Sequence, residues 1–189
     1  MKKIAILFAD GFEELEMIAV TDILRRGGVQ ADLVSMEKEF NTSAHQVVVK
    51  ADMLLKDVDL SKYDGIFIPG GGKGAENLAA SELVRAALRQ ADESNHLIAA
   101  ICAGPTVLEA AGILKGVSVT SYPGLADEFK GSSYIPDVVS VSDGNILTSR
   151  GPATAPYFGF DILQYLGLEK EAEKIYEGMQ YSFLDKSGI

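Results

Sequence analysis

The chain has 189 residues, of which 47% are hydrophobic, and carries 17 basic and 27 acidic side chains, a formal net charge of −10. This length suits one α/β domain with a single core, so we predict one domain over residues 1–189. The acidic balance excludes a general nucleic-acid-binding protein, because phosphate binding needs a basic surface. No segment reaches the ~20 apolar residues of a membrane span, so no membrane partner is expected.

Short apolar segments alternate with amphipathic ones, which is typical of a mostly parallel sheet covered by helices on both faces. The predicted strands are residues 3–9, 31–35, a short 46–50 that suits a hairpin, 65–68, 97–101, 117–120, 138–142 and 146–149. The predicted helices are 15–26, 81–94, 105–111, 155–166 and 169–179. We therefore predict an α/β fold, a flavodoxin-like three-layer sandwich, with its functional residues at the carboxyl ends of the strands.

Two of the predicted helices have an apolar face. In helix 15–26 the predicted inward residues are Leu15, Ile18, Ala19, Ile23 and Leu24. In helix 81–94 they are Leu83, Val84, Ala87 and Leu88, and Ser81 is the predicted N-cap.

The N-terminal apolar segment stops at Asp10, and glutamates follow instead of a small-residue cleavage site. A secretory leader is therefore not expected. The chain has one cysteine, which excludes an internal disulfide and fits a reducing compartment. We predict a cytoplasmic protein.

That cysteine, Cys102, lies between a predicted buried strand and a predicted helix. The small residues Ala100, Ala103 and Gly104 permit a tight turn, the pattern of a cysteine nucleophile elbow. A cysteine at a helix N-terminus faces oriented N–H groups, which lower the pKa of its thiol. The alternative is a small buried core residue, since free cysteines are often buried.

A run of three glycines, Gly70, Gly71 and Gly72, ends the strand that precedes the cysteine strand along the chain. Its backbone N–H groups, with that of Ala103, are expected to form an oxyanion hole for Cys102. The alternative is an ordinary turn. The glycine spacing fits neither a dinucleotide fingerprint nor a P-loop, so no nucleotide cofactor is predicted.

Three glutamates follow the first strand, Glu13, Glu14 and Glu16. Acidic residues favour the first turn of a helix, and this explains Glu13 and Glu14. Glu16 lies about 60° from Glu13 around the helix axis and is expected to point toward the end of the sheet.

Together these segments resemble the ThiJ/PfpI superfamily and its parkinsonism-associated protein deglycase (DJ-one) branch. The resemblance covers nearly the whole chain and is most specific in Ala-Ala-Ile-Cys-Ala-Gly-Pro at residues 99–105. It implies that Cys102 is the reactive cysteine, that Glu16 hydrogen-bonds it, and that Gly71, Gly72 and Ala103 supply the amides. It also implies a flavodoxin-like homodimer without a bound cofactor or metal.

The chain departs from this family at two positions. Protease-like members have histidine directly after the cysteine, where this chain has Ala103, and deglycase-branch members often have histidine where this chain has Tyr122. His96 precedes the cysteine strand and is expected ~20 Å from Cys102, at the opposite end. His45 is expected in a solvated loop and reaches a site only across a dimer. A Cys-His-acid triad within one chain is therefore not expected.

Two arginines match family positions near the dimer contact and the site, Arg26 and Arg150. Arg150 follows a strand and is a candidate anion-binding residue, and a surface ion pair is the alternative. Tyr122 is expected to orient substrate rather than transfer protons, since a phenol is a poor base at neutral pH. The alternative is that the side chain of Tyr122 points outward and only packs beside Pro123.

Two functions fit these residues. The first is a thiol enzyme of glyoxalase or deglycase type, in which Cys102 attacks methylglyoxal or an adduct derived from it and Glu16 transfers protons. The second is a redox-sensing stress-response protein or chaperone, in which Cys102 oxidises to a sulfinate without turnover.

Overall fold

A computed structural model describes residues 1–187 and has a seven-stranded sheet at its centre. The strand order is β10-β11-β7-β6-β1-β2-β5. These strands are β1 (Lys3–Phe8), β2 (Gln30–Ser35), β5 (Met53–Leu54), β6 (Gly65–Ile68), β7 (Leu97–Ile101), β10 (Ser140–Asp143) and β11 (Ile146–Ser149). All neighbours pair in parallel except β10 and β11, so the carboxyl ends of β6, β7 and β11 meet at one edge.

Helices cover both faces of the sheet. The helices are α1 (Glu14–Arg26), α2 (Gly72–Ala80), α3 (Glu82–Glu93), α4 (Pro105–Ala111), α5 (Ala155–Tyr165), α6 (Glu169–Gly178) and α7 (Tyr181–Ser187). One core forms between the sheet and α1, α5 and α6, and the other forms against α2, α3 and α4. In β1, Ile4 and Ile6 enter the first core while Ala5 and Leu7 enter the second, as the twofold alternation of a strand requires.

The predicted α/β class and three-layer arrangement are confirmed, with most boundaries shifted by one or two residues. The predicted N-cap is also confirmed, because the Ser81 hydroxyl accepts a hydrogen bond from the N–H of Val84. The short predicted strand 46–50 narrows to β4 (Val48–Lys50), which pairs in antiparallel fashion with β3 (Phe40–Thr42). A second small pair, β8 (Ser118–Val119) and β9 (Ser133–Tyr134), lies outside the main sheet.

Three apolar residues predicted to face inward are exposed. In α1, Leu15 and Ile18 are 55% and 45% exposed, whereas Glu16 and Met17 are fully buried. In α3, Leu83 is exposed and Val84 is buried. The predicted inward face of α1 is therefore wrong at Leu15 and Ile18, where the buried carboxyl of Glu16 takes the inward position in the first turn, and it is confirmed at Ile23 and Leu24.

Candidate active site

Cys102 lies in the turn between β7 and α4, residues 101–105, which we call the elbow. Its backbone has φ of 63°, in the left-handed region that non-glycine residues rarely adopt. Two hydrogen bonds hold this conformation: the N–H of Cys102 donates to the carbonyl of Ser149 at 3.0 Å, and its carbonyl accepts from the N–H of Tyr122 at 3.0 Å. The side chain is partly exposed at the carboxyl edge of the sheet.

The glycine loop after β6 packs against the elbow. The backbone N–H groups of Gly71 and Ala103 face the sulfur of Cys102 and act to lower the pKa of its thiol. Gly71 has φ of 88°, and a side chain there would lie 2.2 Å from the carbonyl oxygen of Gly11, so only glycine fits. Gly72 begins α2. Gly70 was predicted only as part of the glycine run, and the structure shows its close packing: a Cβ atom there would lie 2.6 Å from both the Cβ of Cys102 and Oε2 of Glu16.

Glu16 reaches the sulfur from the third position of α1 and is fully buried. Its Oε2 accepts a hydrogen bond from the N–H of Gly70 at 2.7 Å. Its Oε1 is buried without a hydrogen-bond partner among the residues that the structure describes. An ionised carboxylate with an unpaired buried oxygen is costly, whereas a proton on Oε1 turns that oxygen into a donor.

Burial raises the pKa of Glu16 to about 7, against the opposing effects of the neighbouring Cys102 thiol and of the hydrogen bond from Gly70. Burial likewise raises the pKa of the Cys102 thiol to about 12, and the negative charge of Glu16 adds to this rise. The N–H groups of Gly71 and Ala103 act in the opposite direction but are outweighed. The lowered thiol pKa predicted from the helix N-terminus is therefore wrong for a thiol beside an ionised Glu16.

The pair of Cys102 and Glu16 holds one proton over a wide pH range, because losing the first proton makes losing the second harder. Two amide N–H groups surround the sulfur at the start of a helix, and one amide N–H reaches the carboxyl. Burial and the charge of Glu16 raise the pKa of the thiol, but the sulfur is partly exposed whereas Glu16 is fully buried, so once Glu16 is protonated we place the remaining negative charge on the sulfur. This arrangement favours a thiolate beside a protonated acid.

Replacing Glu16 by glutamine should remove a pH dependence of stability. The pKa of Glu16 rises from an ordinary 4.5 to about 7 on folding, so the folded state binds more protons between these values. Its free energy of unfolding therefore falls as pH rises, by about 3 kcal/mol over this interval. Denaturant titrations at pH 4.5 and pH 7 should show this fall in the wild type but not in Glu16→Gln. Equal falls in both proteins would contradict the burial argument.

Adding one methyl group at Gly70 should inactivate the site, whereas the same change at Gly72 should not. The new Cβ of Gly70→Ala collides with Cys102 and Glu16, and we expect a loss of reactivity on the order of 100-fold. Gly72→Ala is the matched control, because its Cβ meets nothing within 4 Å. Thiol alkylation rates and melting curves of both variants provide the measurement. Equal effects of the two changes would refute the close packing of Gly70.

Tyr122 lies on the other side of the elbow, beside the end of β11. Its ring packs on Gly151, where a Cβ atom would lie 3.4 Å from Cδ2 of the tyrosine, and the residue is 51% exposed. Arg150 precedes Gly151 and points to Asp137, with 3.4 Å between the guanidinium and the carboxylate. The structure thus places both residues next to the elbow and shows the surface ion pair that was the alternative for Arg150.

The remaining basic residues lie away from the sulfur. The Nδ1 of His45 contacts the carboxylates of Glu14 at 3.0 Å and Glu13 at 3.6 Å. Arg26 pairs with Asp22 at 2.8 Å within α1. His96 precedes β7 at the end of the strand opposite Cys102, as predicted, and its carbonyl accepts a hydrogen bond from the side chain of Asn145.

Within residues 1–187, one group of side chains brings three metal-type ligand atoms within 4.8 Å of one another: Glu13, Glu14 and His45. The imidazole is largely exposed and already bonds Glu14. The two glutamates are mostly buried, and their contacts with His45 hold the group together.

Sequence comparison shows which known proteins this chain is similar to. A profile of the DJ-1/PfpI family matches residues 2–165. The chain belongs to the DJ-1/PfpI family. It is 35% identical to Protein dj-1beta of Drosophila melanogaster, over 96% of this chain and 98% of the relative. It is 39% identical to a Caenorhabditis elegans protein named glutathione-independent glyoxalase DJR-1.2, over 84% of this chain and 85% of the relative.

The fold agrees with this membership of the DJ-1/PfpI family. The crystal structure of Drosophila melanogaster DJ-1beta superposes with a TM-score of 0.91 and 36% sequence identity, covering 94% of this chain and 97% of the other. Members of the family are typically dimeric. In the part of the chain that the structure describes, none of the helices is both long and apolar enough to span a membrane.

Proposed function

We propose that this protein is a cofactor-independent thiol enzyme of glyoxalase or deglycase type, acting on methylglyoxal or on adducts derived from it. The observation that carries the proposal is the pair formed by Cys102 and the fully buried Glu16, beside the amides of Gly71 and Ala103. A nucleophile, a proton carrier and donors for a developing oxyanion thus lie at one sheet edge. The name of the nematode relative is consistent with this activity.

The first step forms a bond between the Cys102 sulfur and the aldehyde carbon of a 2-oxoaldehyde. The π electrons of the carbonyl move to its oxygen, which the N–H groups of Gly71 and Ala103 stabilise, and protonation gives a hemithioacetal. In this step the thiolate is the nucleophile, and Glu16 donates the proton of the pair to the new oxyanion and is left as a carboxylate.

The second step is an isomerisation that moves two protons. The carboxylate of Glu16 takes the C–H proton of the former aldehyde carbon and returns it to the neighbouring ketone carbon, while the hemithioacetal hydroxyl loses its proton and the ketone oxygen gains one through an enediol, so the first carbon is oxidised to a thioester and the second is reduced to an alcohol. Glu16 is the proton carrier, because its raised pKa of about 7 suits both release and uptake of a proton at neutral pH. Water then hydrolyses the thioester and releases lactate and the thiol.

This sequence consumes one water per methylglyoxal and needs no external oxidant or reductant. The purified protein should therefore convert methylglyoxal to lactate without glutathione. Enzymatic determination of lactate, with Cys102→Ser measured beside the wild type, tests the proposal. Absence of lactate from a folded wild-type protein would refute the enzymatic function.

Redox sensing is the second candidate function, and the unpartnered Oε1 of Glu16 favours it. A protonated Oε1 can donate equally to an oxygen added to the sulfur, which would stabilise a sulfinate. Mild peroxide should then add two oxygen atoms at Cys102 in a protein without turnover. Mass spectrometry of the intact protein, together with the lactate measurement, distinguishes the two functions.

We further propose that the protein is a homodimer through α1. Leu15 and Ile18 are large apolar residues that this helix leaves exposed to solvent. Sedimentation at micromolar concentration should show about twice the chain mass of 20.2 kDa, and Ile18→Glu should shift the population to monomer. Leu83→Glu is the matched control, because Leu83 is similarly exposed on α3. A wild type that sediments only as a 20 kDa species would contradict this assembly.

A further inference from the structure

The two sides of the elbow differ in chemistry. In the sheet order β7 lies between β6 and β11, so Cys102 has the glycine loop after β6 on one side and Gly151 after β11 on the other. The first side presents the N–H group of Gly71, which suits an oxyanion. The second side presents the ring of Tyr122, which covers Gly151.

A hydrogen bond holds the backbone of Tyr122, whereas its side chain is partly exposed to solvent. Its N–H donates to the carbonyl of Cys102 at 3.0 Å, and its ring rests on a residue that has no side chain. Half of the residue remains exposed, at 51%, and its hydroxyl has no hydrogen-bond partner among residues 1–187. One part of the ring thus packs on Gly151, and the rest is an aromatic surface exposed next to the elbow.

These positions determine where the rest of a bound substrate lies. When the sulfur attacks an aldehyde whose oxygen points to the amides of the β6 side, the substituent on the carbonyl carbon extends toward the β11 side. That substituent would then lie on the side of the elbow that carries the ring of Tyr122. A flat aromatic substituent would contact this ring over a larger area than a methyl group does.

We propose that Tyr122 is a specificity-determining residue and that the site prefers 2-oxoaldehydes with an aromatic substituent over methylglyoxal. This inference rests on the proposed function for the identity of the substrate. The placement of the ring beside the nucleophile does not depend on turnover. The contribution of an aromatic contact of this kind corresponds to a preference of roughly threefold to tenfold.

The test uses two reactions of the full-length protein. The first is turnover, with kcat/KM measured for phenylglyoxal and methylglyoxal. The second is alkylation of Cys102 by 2-bromoacetophenone and by bromoacetone, each rate constant divided by that of glutathione with the same reagent. The alkylation ratio measures the preference of the site for a phenyl group even in a protein that does not turn over.

Tyr122→Ala should lower the phenyl-to-methyl preference roughly threefold to tenfold in both reactions. Tyr122→Phe should keep the preference, because the ring rather than the hydroxyl provides the contact. Tyr165→Ala is the matched control, since Tyr165 is a partly exposed tyrosine near His96 at the opposite edge of the sheet. An alkylation preference that is unchanged in Tyr122→Ala would overturn the inference. Absence of turnover with a reduced alkylation preference would refute only the proposed enzymatic function and would support the role of Tyr122.

Discussion

Replacing Cys102 by serine should lower the turnover of methylglyoxal by at least ~10³-fold. A serine hydroxyl ionises far less readily than a thiol, and the amides of Gly71 and Ala103 cannot offset that difference. The elbow tolerates the change sterically, because serine is slightly smaller than cysteine and keeps the same backbone atoms. The loss should therefore occur without a change in melting temperature.

Lactate formation and thermal melting of wild type and Cys102→Ser provide the measurement, with Ser187→Ala as an exposed control on α7. A variant that keeps more than a tenth of the wild-type turnover would show that the chemistry lies elsewhere. A variant that fails to fold would be replaced by Cys102→Ala, which removes the nucleophile and adds no polar group.

Replacing Glu16 by alanine should lower turnover about 10²- to 10⁴-fold, the usual contribution of a positioned acid or base. Glu16→Gln should lose turnover to a similar extent, because its amide donates a hydrogen bond but carries no acidic proton. Glu16→Asp withdraws the carboxyl by one methylene and should fall between the wild type and alanine. Wild-type turnover in Glu16→Ala would remove the carboxyl from the mechanism.

The same alanine variant reveals which atom of the pair carries the charge. If the wild-type pair is a thiolate beside a protonated acid, removal of the O–H donor should raise the apparent pKa of Cys102. If the pair is instead a thiol beside a carboxylate, removal of the negative charge should lower that pKa. Thiolate absorbance near 240 nm as a function of pH gives the sign, and we expect a rise. A fall would overturn the thiolate assignment.

The parts of the fold predicted from sequence are those that local patterns determine. Buried parallel strands appear as short apolar segments, and Leu97–Ile101 was predicted to the residue. Helix α2 was missed because it begins Gly72-Lys73-Gly74, and glycine is unfavourable inside helices. Helix α7 was missed because its seven residues are too few to establish a helical period.

The parts of the candidate site that could be predicted are those in which one residue type implies one chemistry. The parts that could not are those in which tertiary packing determines the position or the pKa of a residue. Cys102 at a strand-to-helix turn indicated a nucleophile from sequence alone. The importance of Gly70 depends on three separate segments that pack so closely that an added Cβ atom would lie 2.6 Å from both Cys102 and Glu16, which no local pattern encodes. The pKa of Glu16 likewise depends on complete burial, and a glutamate in the first turn of a helix is ordinarily exposed.

The two hydrogen bonds that hold Cys102 at positive φ come from residues later in the chain, Tyr122 and Ser149. A nascent chain that has been synthesised only through α4 contains the cysteine but lacks both partners. Without them a non-glycine residue would relax from a conformation that costs on the order of 1–3 kcal/mol. During synthesis Cys102 would therefore remain an ordinary thiol, and its special reactivity would begin only after β11 has docked beside β7.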